Sequence, residues 1–182
     1  MKKILLSLTA VTAFLTTANA ELVTFEYDFM PVSIGSSNTT ANSQSFTLGF
    51  KVDDNLRAGI MQESMDLTLE NGGVTGTGNV QISALNLEFK ALEGFGDIKI
   101  PAILGVNIGS ANLNAPVVAG AQSIGATTEM MSDLYVKTEY AAGKYSFISG
   151  KLGYRMLPMA ETTGAFDNVN GMFMKIGVGV RF

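Results

Sequence analysis

The stretch M-F-M-K-I-G-V-G-V-R-F, Met172 to Phe182, decides the fold. Read with a period of two, Met172, Met174, Ile176, Val178, Val180 and Phe182 share one face. Phe173, Lys175, Gly177, Gly179 and Arg181 share the other. Successive side chains of a strand point to opposite sides, so this is a β-strand with one wholly apolar face and one face of glycine and positive charge. A strand of that kind needs partners of the same kind, and the rest of the chain must supply them.

Seven further stretches do so. From Leu22 to Pro31, Val23, Phe25, Tyr27 and Phe29 oppose Thr24, Glu26 and Asp28. From Ser45 to Val52, Phe46, Leu48 and Phe50 oppose Thr47, Gly49 and Lys51, and Asp53-Asp54-Asn55 makes a tight turn. A third strand starts at Leu56, with Ala58 and Ile60 against Arg57, Gly59, Met61 and Glu63. The fourth, Val80 to Ala91, changes phase: Val80 and Ile82 are even, Leu85, Leu87 and Phe89 odd, and a β-bulge near Ser83–Ala84 is the simplest repair. The fifth keeps Ile98 to Ile108 in alternation around an awkward Pro101. The sixth sets Leu134, Val136, Thr138 and Tyr140 against Tyr135, Lys137 and Glu139. The seventh, Tyr145 to Met156, sets Ile148, Leu152 and Tyr154 against Ser149, Lys151 and Arg155. Tyr145 and Phe147 fall out of phase there and predict a second bulge. Residues 32–44, 110–131 and 158–171 read as loops, and 65–79 as a long loop or a protruding hairpin. Eight strands of about 8–12 residues result, near the length that crosses a bilayer at a tilt. Their connections alternate long and short.

The amino-terminal residues predict the compartment. Met1-Lys2-Lys3 is a basic start, Ile4 to Leu15 an apolar core too short to span as a helix, and Ala18-Asn19-Ala20 a small-x-small cleavage site. Residues 1–20 therefore read as a cleaved secretory signal and 21–182 as one domain. Removing Lys2 and Lys3 leaves ten basic against sixteen acidic residues, a net charge of −6, which argues against a nucleic-acid partner. There is no Cys to staple an exported fold and no His. No window after the signal is apolar for 18 residues, so the chain either crosses a membrane as a closed barrel or is a soluble periplasmic protein.

Alternation alone does not say which face meets solvent. In a soluble β-sandwich the apolar face points inward; in a membrane barrel it meets lipid and the charged face fills the lumen. Three features favour the barrel. The polar face is rich in glycine (Gly49, Gly59, Gly105, Gly153, Gly177, Gly179), as a crowded lumen requires. Phe50, Phe89, Tyr140, Tyr145 and Phe182 gather beside the short turns, as an interfacial girdle does. A secretory signal and an aromatic terminal strand occur together. The expected fold is an all-β, eight-stranded antiparallel transmembrane barrel with short periplasmic turns and long extracellular loops; a soluble periplasmic β-sandwich or lipocalin-like binding protein is the alternative.

The chain resembles the superfamily of small bacterial outer-membrane barrels that includes the OmpA transmembrane domain, OmpX and Ail. Lys175-x-Gly177-x-x-Val180-x-Phe182 fits the polar-x-Gly-x-x-hydrophobic-x-hydrophobic pattern of their closing strands. The resemblance implies that Lys175, Gly177, Val180 and Phe182 form a signal for the barrel-assembly machinery. It also implies a cell-outer-membrane location and contact with outer-membrane lipid and lipopolysaccharide. Enzymes of this architecture use a histidine, and none is present here, so neither catalysis nor a cofactor is expected.

The inward charges are the main constellation. Glu26, Asp28 and Glu139 face Lys51, Arg57, Lys137, Lys151, Arg155, Lys175 and Arg181, with Glu63, Glu88, Lys90 and Lys99 adding to the set. They either pair inside a plugged lumen or line a narrow pore for small solutes, and an eight-stranded lumen is just wide enough for side chains. Asp66, Glu70, Glu129, Asp133, Glu161 and Asp167 read as acidic loop residues. The expected role is that of a monomeric structural or surface-interaction protein acting through its outer loops, with the narrow channel as the alternative.

Overall fold

A computed structural model describes residues 22–34, 39–71, 74–92, 101–114, 127–157 and 170–182. The expected signal lies outside the described residues. Eight strands follow one another: β1 Val23–Ile34, β2 Thr39–Lys51, β3 Leu56–Asn71, β4 Val74–Leu92, β5 Ala102–Asn114, β6 Thr127–Ala141, β7 Ser146–Met156 and β8 Gly171–Arg181. Each pairs antiparallel with its sequence neighbours and β1 pairs with β8, so the sheet is a closed barrel without a free edge.

Tilt follows from register. Stepping from Val23 through paired residues Phe50, Ala58, Leu87, Val106, Leu134, Tyr154 and Met172 returns to β1 at Ile34, eleven residues along from Val23. That is about 36 Å of stagger against about 38 Å of circumference, a strand tilt of about 45°. One end of the barrel carries the turns after β2 and β6 and the adjoining ends of β4 and β5. There Asp53 Oδ1 accepts the amides of Asn55 and Leu56 at 2.7 and 2.8 Å, which closes the β2–β3 turn. Lys51 donates to Asp54 at 2.7 Å and holds its carboxyl below the usual carboxylate range.

The barrel reverses its polarity along its axis. In the half nearer the turns, outward residues such as Phe46, Ile60, Leu85, Leu104, Leu134 and Ile176 are exposed and apolar, while Glu26, Glu88, Lys137 and Lys151 are buried inside. Toward the other end of β2–β5 the outward residues become Gln44, Gln62, Ser64, Gln81, Ser83 and Asn112. Several join in a ladder: Ser83 to Gln62 at 2.9 Å, Gln81 to Ser64 at 2.8 Å, Asn79 to Asp66 at 2.7 Å. Behind that polar wall the interior is an apolar cluster of Met61, Met65, Val80, Ile82, Ala111, Met131, Leu157 and Phe173. The first half is built for an apolar surround, and on β2–β5 the second is built for water.

This reversal corrects two expectations. No bulge occurs at Ser83–Ala84, since pairing with β3 and β5 runs unbroken there. Val80, Ile82 and Ala84 stay in phase with Asn86 and Glu88 and point inward. Nor does β7 bulge: Phe147 pairs in register with Ala141 and Gly179 and is buried in the lumen. Register shifts lie instead between Phe29 and Val32, and between Lys90 and Leu92. Residues 65–71 and 74–79 are paired strand, as the protruding hairpin requires, and not loop, with Met65↔Val80 through Asn71↔Val74 in register. Strand also covers 39–44, 110–114 and 127–131, and Pro101 sits just before β5, where it blocks no ladder bond.

Candidate functional site

Inside the lumen, β1, β3, β4, β6, β7 and β8 bring opposite charges together. Glu26 accepts from Lys137 at 2.7 Å and Lys151 at 3.0 Å, and also from the Ser149 hydroxyl. Lys151 reaches Asp28 at 2.7 Å. Lys137 lies among Glu26, Glu88 at 3.0 Å and Glu139 at 2.9 Å. Nearest the turns, Glu139 takes Arg57 at 2.6 Å and Arg181 at 2.5 Å. Farther in, Arg155 forks between Glu63 and Asp133, both at 2.8 Å, and Lys175 reaches Glu63 at 2.7 Å.

Among the described residues six buried carboxylates (Glu26, Asp28, Glu63, Glu88, Asp133, Glu139) meet four buried cations and the half-buried Arg57 and Arg181, so the interior is balanced. Neutral groups bridge the two clusters: Tyr135 donates to Glu88 at 2.9 Å and accepts from Asn86 at 2.6 Å, and Asn86 reaches Asn107 and through it Asp133. Of the residues the sequence singled out, Lys51 stands apart. It is half-exposed at the turn, paired with Asp54, on the rim of a vestibule of about 500 Å³ lined by Arg57, Glu88, Lys90, Glu139 and Arg181. Lys99 lies outside the described residues.

The expected assembly residues divide between the faces. Lys175 and Gly177 point into the lumen, Gly177 beside Asp28 and Ser149. Val180 and Phe182 are on the other face, and Phe182 exchanges backbone bonds with Val23 at 2.9 and 3.2 Å.

Two features were missed in the sequence. Asp133, read as a loop residue, is a buried lumen acid on β6; its alternation with Tyr135 and Lys137 was the available signal. Asp66 and Glu129 likewise lie on strands. The second is a set of aromatic shelves. Phe147, Tyr135 and Phe173 lie inside against glycines: Gly179 opposite Phe147, Gly105 opposite Tyr135, and Gly153 between Tyr135 and Phe173. A Cβ at Gly153 would stand 2.6 Å from the Leu134 carbonyl and 2.7 Å from the Phe173 ring. Cations stack on these rings, Arg181 on Phe147 at 4.6 Å, Lys151 on Tyr135 at 5.7 Å and Arg155 on Phe173 at 5.5 Å.

Between the charged clusters a void of about 10 Å³, room for one water, is lined by Asp28, Asn86, Asn107, Tyr135, Lys151 and Lys175. Above lies the apolar cluster. Among the described residues the lumen is a filled interior with a vestibule at the turn end.

No protein-family model and no curated protein matches the sequence. Solved structures match the fold. Neisserial surface protein A (NspA) aligns over 91% of this chain and 100% of its own, with a TM-score of 0.62 at 14% identity. The N-terminal β-barrel domain of Pseudomonas aeruginosa OprF aligns over 90% and 100%, with a TM-score of 0.55 at 11% identity. The outer membrane protein AlkL, solved in lipid bilayers, aligns over 90% and 88%, with a TM-score of 0.50 at 12% identity. The chain has the fold of the small eight-stranded outer-membrane barrels.

Proposed function

We propose that this protein is a monomeric barrel of the cell outer membrane with a structural or surface-interaction role exerted through its extracellular end. One observation carries the membrane reading: apolar residues ring the outside of the barrel at the level where the inside is charged. In water that arrangement would expose a continuous apolar belt; in lipid it is the stable one. Phe50, Phe89, Tyr140, Tyr145 and Phe182, all exposed, form the girdle at the turn end, which is the periplasmic end in barrels of this kind. Outer-membrane lipid and lipopolysaccharide are its surroundings, and the barrel-assembly machinery, reading Lys175, Gly177, Val180 and Phe182, its partner during biogenesis.

The role is a non-catalytic one. The buried carboxylates are engaged with cations, and the chain holds no His to relay a proton. A lumen with a water-sized void argues for the structural role over a channel.

Membrane fractionation combined with heat-dependent gel mobility tests the reading. The protein is expected in the outer-membrane fraction, migrating faster unboiled than boiled. Recovery in the soluble periplasmic fraction, with identical migration before and after boiling, would overturn it.

A further inference from the structure

The apolar belt is not of one height. Moving from each strand to its paired neighbour climbs, by the stagger above, about 1.4 residues toward the loop end, so outward positions on different strands can be set on one axial scale. On β3 the belt stops after Ile60, where Gln62 follows, and on β2 it stops after Phe46, where Gln44 follows. On β7 it continues through Leu152 and Tyr154 to Met156, and on β8 through Met174 to Met172, all exposed. Met130 on β6, 72% exposed, stands at the level of Met156 and Met172. On the axial scale these three methionines lie about 7 Å above Gln44 and Gln62. At their own level the opposite wall presents Asn42, Ser64 and Gln81.

Resting on the membrane reading above, we infer that acyl chains of the outer leaflet meet the barrel at two heights, reaching Met130, Met156 and Met172 on the β6–β8 wall and stopping below Gln44 and Gln62 on the β2–β4 wall. The occupant of the methionine wall is lipid because the wall continues the belt without a polar break on β7 and β8. Thioether side chains suit that surround, being apolar and conformationally adaptable. A step of about 7 Å between the two walls is a hydrophobic mismatch that a bilayer meets by thinning locally against the shorter one. About 24 Å of axial height on β8, from Phe182 to Met172, matches the usual apolar band, and the belt on the β3–β4 side, which starts at the same turn-end girdle, is shorter.

The chain contains no Trp, so a single introduced Trp reports on one site. Met156→Trp, Met172→Trp, Ser64→Trp and Gln81→Trp, with Leu87→Trp and Leu134→Trp as mid-belt controls, are reconstituted in phosphatidylcholine vesicles. Folding of each is checked by its heat-dependent gel shift. Trp at 156 and 172 is expected to lose most of its emission to lipid brominated on the upper acyl chain, while Trp at 64 and 81 keeps its emission there and is quenched by aqueous acrylamide. Equal lipid quenching at all four positions would overturn the uneven immersion. Acrylamide quenching without lipid quenching at 156 and 172 would place that wall above the membrane and overturn it too. Shielding of those positions from both quenchers would mean that a second copy or another protein covers the wall, and would overturn the lipid assignment. Failure of lipid to quench the controls at 87 and 134 would instead overturn the membrane reading itself.

Discussion

Glu26 and Asp28 lie two residues apart on β1 and hold Lys151 between them, whereas Lys137 shares Glu26 with Glu88 and Glu139. Replacing both β1 acids by amides therefore strands Lys151 and leaves Lys137 paired. Breaking a buried pair from one side costs about 3–5 kcal/mol because the surviving charge is uncompensated. Glu26→Gln with Asp28→Asn is expected to lower the unfolding free energy read from urea titration by that order, and adding Lys151→Met to recover most of it. A triple variant no better than the double would show that the loss lies elsewhere. The glycines offer a sharper contrast. A Cβ on Gly153 meets a backbone carbonyl and an aromatic ring, whereas one on Gly150, three residues earlier, finds its nearest neighbour, Thr138 Oγ1, at 3.7 Å. Overpacking of a closed site costs about 1–3 kcal/mol, so Gly153→Ala should destabilise by that amount and Gly150→Ala by almost nothing in the same titration.

The β3–β4 hairpin shows where a periodic reading stops working. β6 and β8 were legible because their outward positions are apolar, or nearly so, along the stretch that was read, and alternation is then unambiguous. In β4 the apolar residues swap faces between Ile82 and Leu85 because the strand passes from an apolar surround into a polar one. A swap of environment and a swap of phase produce the same pattern of letters, and only the unbroken pairing of Ser83 with Gln62 and Ser110 separates them. Asp133 was lost for a related reason: Met130 and Met131 before it carry no alternation. The ion pairs were legible as a set of inward charges, but not as partners, since Arg155 and Glu63 stand 92 residues apart. The reversal itself is testable. Ile82 is buried in a protein core, so Ile82→Ala leaves a cavity and should cost about 2–5 kcal/mol. Leu85 faces outward, where acyl chains as apolar as leucine fill the space, so Leu85→Ala should cost below about 1 kcal/mol. Amide hydrogen exchange checks both, with protection of β3 and β4 near Met65 and Val80 falling in the first variant and holding in the second.

At the scale of the whole molecule, two unlike layers block the lumen. The charged layer closes it by pairing: each cation that would attract an anion already touches one or more carboxylates, and a void of about 10 Å³ admits a water but no hydrated ion. Beyond it, Met65, Val80, Ile82, Met131 and Leu157 form an apolar layer, and a hydrophobic constriction stops ions by excluding water, whatever charges lie beneath. The vestibule at the turn end leads into these layers and not through them. The protein reconstituted in planar bilayers is therefore expected to give no steady conductance. The triple variant Glu26→Gln, Asp28→Asn, Lys151→Met should stay equally silent, since it thins the charged layer and leaves the apolar one whole. If the charged layer alone were the seal, that variant would conduct while the native protein did not. Steady anion-selective currents from the native protein would instead favour the channel over the structural role, because they require a continuous water path through both layers.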